Sequence, residues 1–268
     1  MQKLLASLAT GASFVIVSSA ALADGSYDRA GAYERPFNWS GIYVGGQVGG
    51  DWASWNWLSN RTGVGFCAAN PFRVPCDPVD QSASSFVGGG QIGARWQTGH
   101  WVLGVESSFA YSRLQDTTPS ESTNALTNHT ELRNIVMATA QLGYAWDRTL
   151  WYVKGGYAGS DLTRNVSVVP SEHFLLESPA SQWANGWTIG TGIEYAFHAG
   201  LSIGVEYDFT NLRAGDVSTC ASGGLSGFCG SSVGTLPVRY SDFNADVQQV
   251  VVRLNYKFGS RDEYQPLK

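Results

Sequence analysis

From Asn38 onward apolar and polar positions alternate with a period of two, which is the spacing of half-buried strands and not of helices. Eight segments carry the pattern: about 39–52, 84–96, 100–112, 132–146, 151–161, 185–197, 201–210 and 246–258. In the first, Ile42, Val44, Val48 and Trp52 share a face opposite Tyr43, Gln47 and Asp51. In the fourth, Leu132, Val136, Ala140, Leu142 and Tyr144 oppose Thr139 and Gln141. In the seventh, Leu201, Ile203, Val205, Tyr207 and Phe209 oppose Ser202, Glu206 and Asp208. No Asp, Glu, Lys or Arg falls on the apolar face of any segment.

Alternation alone does not say which face is inside. A soluble sandwich hides its apolar faces, whereas a membrane barrel turns them outward and keeps a polar interior. Three features favour the barrel. Connections near 97–99, 147–150 and 198–200 are short, and those near 58–83, 114–131, 163–184 and 213–244 are long. Short inner turns with long outer loops are the outer-membrane arrangement. Aromatics gather at the short turns: Trp96, Trp101, Trp146, Trp151, Tyr195, Phe197, Tyr256 and Phe258 form one expected interfacial girdle, with Trp52, Phe86, Phe109, Trp187 and Phe209 at the other. Finally, an even set of eight strands closes without an edge, so that each backbone N–H and C=O has a partner in hydrocarbon.

Composition narrows the picture further. The 268 residues include 32 Gly, 10 Trp, 12 Tyr and 12 Phe, with only 15% charged residues. That excludes disorder, which needs high charge and few aromatics. Apolar runs long enough for a membrane helix are missing beyond the N-terminus. The net charge of −5 leaves no basic footprint for nucleic acid.

The N-terminus reads as an address. Lys3 precedes an apolar stretch that ends Ala21-Leu22-Ala23, a pattern of small residues at a cleavage site, so 1–23 is expected to be a secretory signal. Residues 24–36 are polar and read as a periplasmic leader, 37–258 as the barrel, and 259–268 as a C-terminal tail. Export agrees with the cysteines. Cys67 and Cys76, and likewise Cys220 and Cys229, stand as close pairs in Gly-, Pro- or Ser-rich loops, and an oxidising compartment makes two local disulfides the reading. Neither pair has zinc-ligand spacing.

An eight-stranded interior is only wide enough for side chains. The inward positions carry Arg95, Lys154, Arg253 and Lys257 against Glu106, Glu194, Glu206 and Asp208. Unpaired buried charges are costly, so an internal network of ion pairs is expected to fill the lumen. Other chemistry is thin. Gly88-Gly89-Gly90-Gln91-Ile92-Gly93 lies within a strand, with no following helix to make a phosphate loop. His100, His129, His173 and His198 have no metal-ligand spacing. Ser171-Glu172-His173 offers sequence adjacency, not triad geometry. No enzyme activity, metal or cofactor is expected.

The run Phe37-Asn38-Trp39-Ser40-Gly41-Ile42-Tyr43-Val44-Gly45-Gly46 resembles the opening strand of small alphaproteobacterial outer-membrane barrels, the outer membrane immunogenic protein group within the porin-family, OmpA-like β-barrels. So do Tyr152-Val153-Lys154-Gly155-Gly156, Gly186-Trp187-Thr188-Ile189-Gly190, Val205-Glu206-Tyr207 and Val252-Arg253-Leu254-Asn255-Tyr256-Lys257-Phe258, in chain order. The resemblance implies an eight-stranded antiparallel transmembrane barrel in the bacterial outer membrane, exposed as a surface antigen. It implies outer-membrane lipid, lipopolysaccharide and the barrel-assembly machinery as partners. Members commonly stop at or just after the final aromatic, whereas this chain continues to Lys268. The expected role is structural: supporting the envelope and displaying loops. A narrow porin for small solutes, or capture of haem or a host-surface ligand by the loops, are the alternatives.

Overall fold

The computed structural model describes residues 37–60, 77–119, 126–168, 180–197, 200–219 and 238–258. The expected secretory signal and leader, the four cysteines and the tail 259–268 lie outside the described residues. The strands are β1 (Gly41–Asn60), β2 (Asp77–Thr98), β3 (Trp101–Pro119), β4 (Leu126–Trp146), β5 (Thr149–Val168), β6 (Ala180–Ala196), β7 (Leu201–Ala214), the three-residue β8 (Val217–Thr219) and β9 (Val238–Lys257). Each long strand pairs antiparallel with the next, β7 pairs with β9, and β9 pairs with β1. Eight long strands therefore close into a barrel, with β8 lying on the far end of β9.

The register fixes the geometry. From Trp101 the cross-strand partners run Tyr144, Trp151, Ile193, Val205, Val252, Val48 and Gly88. Trp101 itself pairs with Thr98 on the same β2, so the circuit returns ten residues further along that strand. Such a stagger over eight strands tilts them by about 40° and gives a radius of about 8 Å. That bore holds side chains and little else.

The short connections behave as expected. Gly99 takes φ +61° between β2 and β3, Asp147 takes φ +53° between β4 and β5, and Gly200 takes φ +79° before β7. The tight turns need the left-handed region, which Gly and Asp enter most cheaply.

The strands run well beyond the alternating segments read from the sequence, always on the side of the long connections. Much of what the sequence marked as loop near 58–83, 114–131, 163–184 and 213–244 is strand. Within these extensions the apolar side chains point inward. Trp55, Trp57, Leu114, Leu132, Leu162 and Phe243 meet in one core, while Ser54, Asn56, Ser82, Arg113 and Asp161 face out.

Leu132 corrects one sequence expectation. The alternation puts it with Val136 and Tyr144 on the outer face, but it is 1% exposed and packs inside. The register slips between Arg133 and Ile135, where Asn134 bulges with φ +53°. One extra residue reverses the parity of everything beyond it. Asp242, at φ +54°, marks a similar slip of β9 against β1.

Candidate functional site

The lower half of the lumen holds a continuous ionic cluster. Arg253 donates through Nη1 to Glu206 and through Nη2 to Glu106. Tyr43 Oη donates to Glu106 Oε2 at 2.6 Å, and Tyr152 Oη donates to Glu206 Oε2 at 2.5 Å. Lys154 Nζ lies 2.7 Å from Glu206 Oε1 and 3.1 Å from Asp208 Oδ1. Arg95 Nη2 reaches Glu194 Oε2 at 2.9 Å, and its guanidinium lies 4.3 Å from the centre of the Tyr43 ring. Asn255 Nδ2 donates to Glu194 at 3.0 Å and Gln91 donates to Asn255 at 2.7 Å, tying β9 to β2 and β6.

Glycines make room for these side chains. In register, Gly192 lies between Tyr152 and Glu206, Gly190 between Lys154 and Asp208, and Gly204 between Glu194 and Arg253. A Cβ at Gly192 would come within 2.5 Å of Tyr152 Oη, and one at Gly93 within 2.5 Å of Tyr43 Oη. A large polar group therefore alternates with an empty position around the bore, so that long side chains lie across it and meet.

Each end of the cluster is covered. On the side of the short turns Trp39 is 2% exposed and packs with Val102, Ala145, Leu150 and Tyr152. Its backbone N–H donates to Gln97 Oε1 at 2.7 Å, so the segment before β1 folds under the barrel. On the other side stands the apolar core of the strand extensions.

Seven of the eight charges named from the sequence cross the bore here, and Lys257 stands at their edge, lining a small cavity with Arg95 and Glu194. It lies at the end of β9, where its Nζ donates to Asn38 O and sits 4.4 Å from the centre of the Phe37 ring. At the mouth of the bore the flexible chain reaches the entering segment and wetter surroundings, which is cheaper than burial. The eight girdle aromatics all face outward: Trp96, Trp101, Trp146, Trp151, Tyr195, Phe197, Tyr256 and Phe258 are exposed. Several touch, with Tyr256 and Phe258 ring centres 5.1 Å apart and Tyr195 and Phe197 at 5.8 Å. Cys67, Cys76, Cys220 and Cys229 lie outside the described residues. Sequence reading missed the roles of Tyr43, Tyr152 and Trp39. The first two were legible as inward positions opposite carboxylates.

Two more ionic features lie in the strand extensions. On the outer wall Glu131 takes Arg113 Nε at 2.5 Å and Arg133 Nε at 2.7 Å. Partial burial pushes its carboxyl upward, but the two guanidiniums outweigh this and hold it below the usual range. In the core, Arg164 is fully buried near the rings of Trp57, Tyr240 and Phe243, with Nε and Nη1 unpartnered. Among the described residues no carboxylate is in salt-bridge contact with it, and burial pulls its pKa down to about 10.

Comparison with known proteins agrees with this geometry. Residues 9–258 match the family model described as an outer membrane protein beta-barrel domain. The chain is 29% identical over 187 residues to the 31 kDa outer-membrane immunogenic proteins of Brucella melitensis and Brucella suis, covering 66% of this chain and 72% of each relative. Among solved structures, the outer membrane protease OmpT of Escherichia coli aligns at 10% identity and a TM-score of 0.48, over 84% of this chain and 99% of that one. The chain therefore belongs to the outer membrane protein β-barrel domain family and is a protein of the bacterial outer membrane.

Proposed function

We propose that this is a sealed structural barrel that anchors in the outer membrane, supports the envelope and presents its strand extensions and loops to the exterior. The observation that carries the reading is the filling of the lumen. Trp39 covers the bore on one side, the Arg253–Glu206–Lys154 cluster crosses it, and the core around Trp57 and Leu132 packs above. A porin needs a continuous aqueous path, and opening one here means breaking buried ion pairs and wetting an apolar core. Display outside accords with the relatives' description as immunogenic. Refolded protein in planar bilayers is expected to give no steady open-channel steps; regular steps would favour the porin.

The same reading has 1–23 removed on export and Cys67–Cys76 and Cys220–Cys229 joined in the oxidising compartment. The intact mass of the mature protein, with and without reductant, tests both. Outer-leaflet lipopolysaccharide surrounds the apolar belt, and the assembly machinery recognises the closing strand β9 with Phe258 just after it.

A further inference from the structure

The bore of the belt does not balance its own charge. Its buried cations are Arg95, Lys154 and Arg253, and its buried carboxylates are Glu106, Glu194, Glu206, Asp208 and Asp51. Three positive groups face five negative ones, a net of −2 where an uncompensated ion is costly. Other cations stand too far away to correct this. Lys257 is at the mouth, opposite Tyr43, with most of β1 in the belt between it and Asp51. Arg164 lies beside Trp57 in the extension, about 20 Å beyond Asp51 along that strand.

The excess is concentrated at Asp51. Glu106 and Glu206 hold Arg253, Glu194 holds Arg95, and Asp208 holds Lys154. Asp51 is 1% exposed and has no ion pair among the described residues. Ser112 Oγ donates to its Oδ2, and its Oδ1 has no hydrogen-bond partner. Val87 and Val251, both in register with Gly49, lie between Asp51 and the level of Arg253. Beside Asp51 in register is Gln249 of β9, which pairs on its other side with Asp208. Gln249 is 2% exposed, and its side chain makes no hydrogen bond among the described residues, with Nε2 buried and unpartnered.

A glutamine amide turned by half a revolution offers oxygen where nitrogen stood, within the same envelope. Carboxylate, amide and hydroxyl oxygens are the donors a hard cation takes. One carboxylate with neutral oxygens suits a single positive charge, and among the described residues no three acids or histidines gather to hold a multivalent metal.

We propose that the bore binds an alkali-metal cation of the sodium class, held by Asp51, Gln249 and the Ser112 hydroxyl. The ion supplies the positive charge that the fixed side chains lack and joins β1, β3 and β9 across the upper belt. The inference rests on the inward placement of these side chains. It holds whether or not the lumen conducts, and the bilayer experiment does not bear on it.

The test is a urea refolding titration of the full-length protein in phosphatidylcholine vesicles, whose headgroups carry no net charge. Sodium chloride is compared with choline chloride at the same ionic strength, and folding is read by unboiled gel mobility. Choline is too bulky for the bore. Sodium is expected to raise the urea midpoint by about 0.5–1 M, and the rise should follow the logarithm of sodium concentration, as for one site present only in the folded state. Asp51→Asn should abolish the difference between the salts. Gln249→Leu should reduce it, and Asn56→Ala on the outer wall should leave it whole. Equal midpoints of the unaltered protein in the two salts would overturn the proposal without any variant and would make protons the balancing charge. A folded Asp51→Asn protein that keeps the parent's response to sodium would overturn it as well.

Discussion

The belt and the extension are the same strands with opposite sidedness. On β1, Ile42, Val44, Val48 and Trp52 face lipid while Gln47 and Asp51 face the bore; a few residues later Trp55 and Trp57 face the bore while Ser54 and Asn56 face out. The backbone does not change direction; only the solvent outside it does. In the belt about ten residues per strand, at about 3.3 Å each and a 40° tilt, give an apolar height of about 25 Å, as a bacterial outer membrane requires. Beyond it the outside is water, and the ordinary rule of burial returns.

The two regions also treat a buried cation differently. Arg253 in the belt is gripped by Glu106 and Glu206, whereas Arg164 in the extension has three aromatic rings and, among the described residues, no salt bridge, only the longer-range attraction of Asp216. Replacing Arg253 by Met removes the guanidinium that two buried carboxylates share, leaving Glu206 to Lys154 and Tyr152 and Glu106 to Tyr43, and is expected to cost about 3–5 kcal/mol in a urea refolding titration. A smaller loss would show the cluster to be slack. Leu132→Ala hollows the extension core and should cost about 2–5 kcal/mol, although the sequence alone would place that side chain in lipid. Ile189→Arg puts a cation into the hydrocarbon, at about 2–4 kcal/mol, whereas Asn56→Arg on the extension wall should leave the titration midpoint unchanged. Equal tolerance of those two would erase the boundary between the regions.

Arg164→Met should have the reverse sign to Arg253→Met. It removes a buried cation that makes no salt bridge among the described residues, so the variant is expected to be neutral to about 2 kcal/mol more stable. The smallest effect belongs to Glu131. Its pKa is lowered on folding from an ordinary value of 4.5, so its contribution is full above about that pH and disappears as the pH falls through the lower folded value. The midpoint gap between the parent and Glu131→Gln should close below that point, and salt should shrink it at neutral pH.

The belt was legible because lipid imposes two signals together, a period of two and aromatics at both rims. The charges at Arg95, Glu106, Lys154 and Glu206 fell on the inward parity for the same reason. The extension was hidden by its own chemistry. Ser54, Asn56, Pro78 and Ser82 read as loop residues because few of them favour strands, yet they are the wetted face of strands whose buried face carries Trp55, Trp57 and Val79. Bulges at Asn134 and Asp242 then reversed the parity, and no periodicity argument survives an unannounced extra residue. Lys257 keeps the inward parity, but parity gives direction and not depth; at the end of a strand an inward position is already at the rim.

The reversal of sidedness is tested most directly by nitroxides placed singly at outward positions along β2, at Trp96, Ile92, Phe86, Ser84 and Ser82, with Cys67, Cys76, Cys220 and Cys229 replaced by Ser. Relaxation of each label by oxygen and by a water-soluble nickel chelate in lipid vesicles reports which solvent it meets. Oxygen should dominate from Trp96 to Phe86 and the chelate should take over at Ser84 and Ser82. Oxygen dominating through Ser82, or the chelate reaching Ile92, would contradict the account.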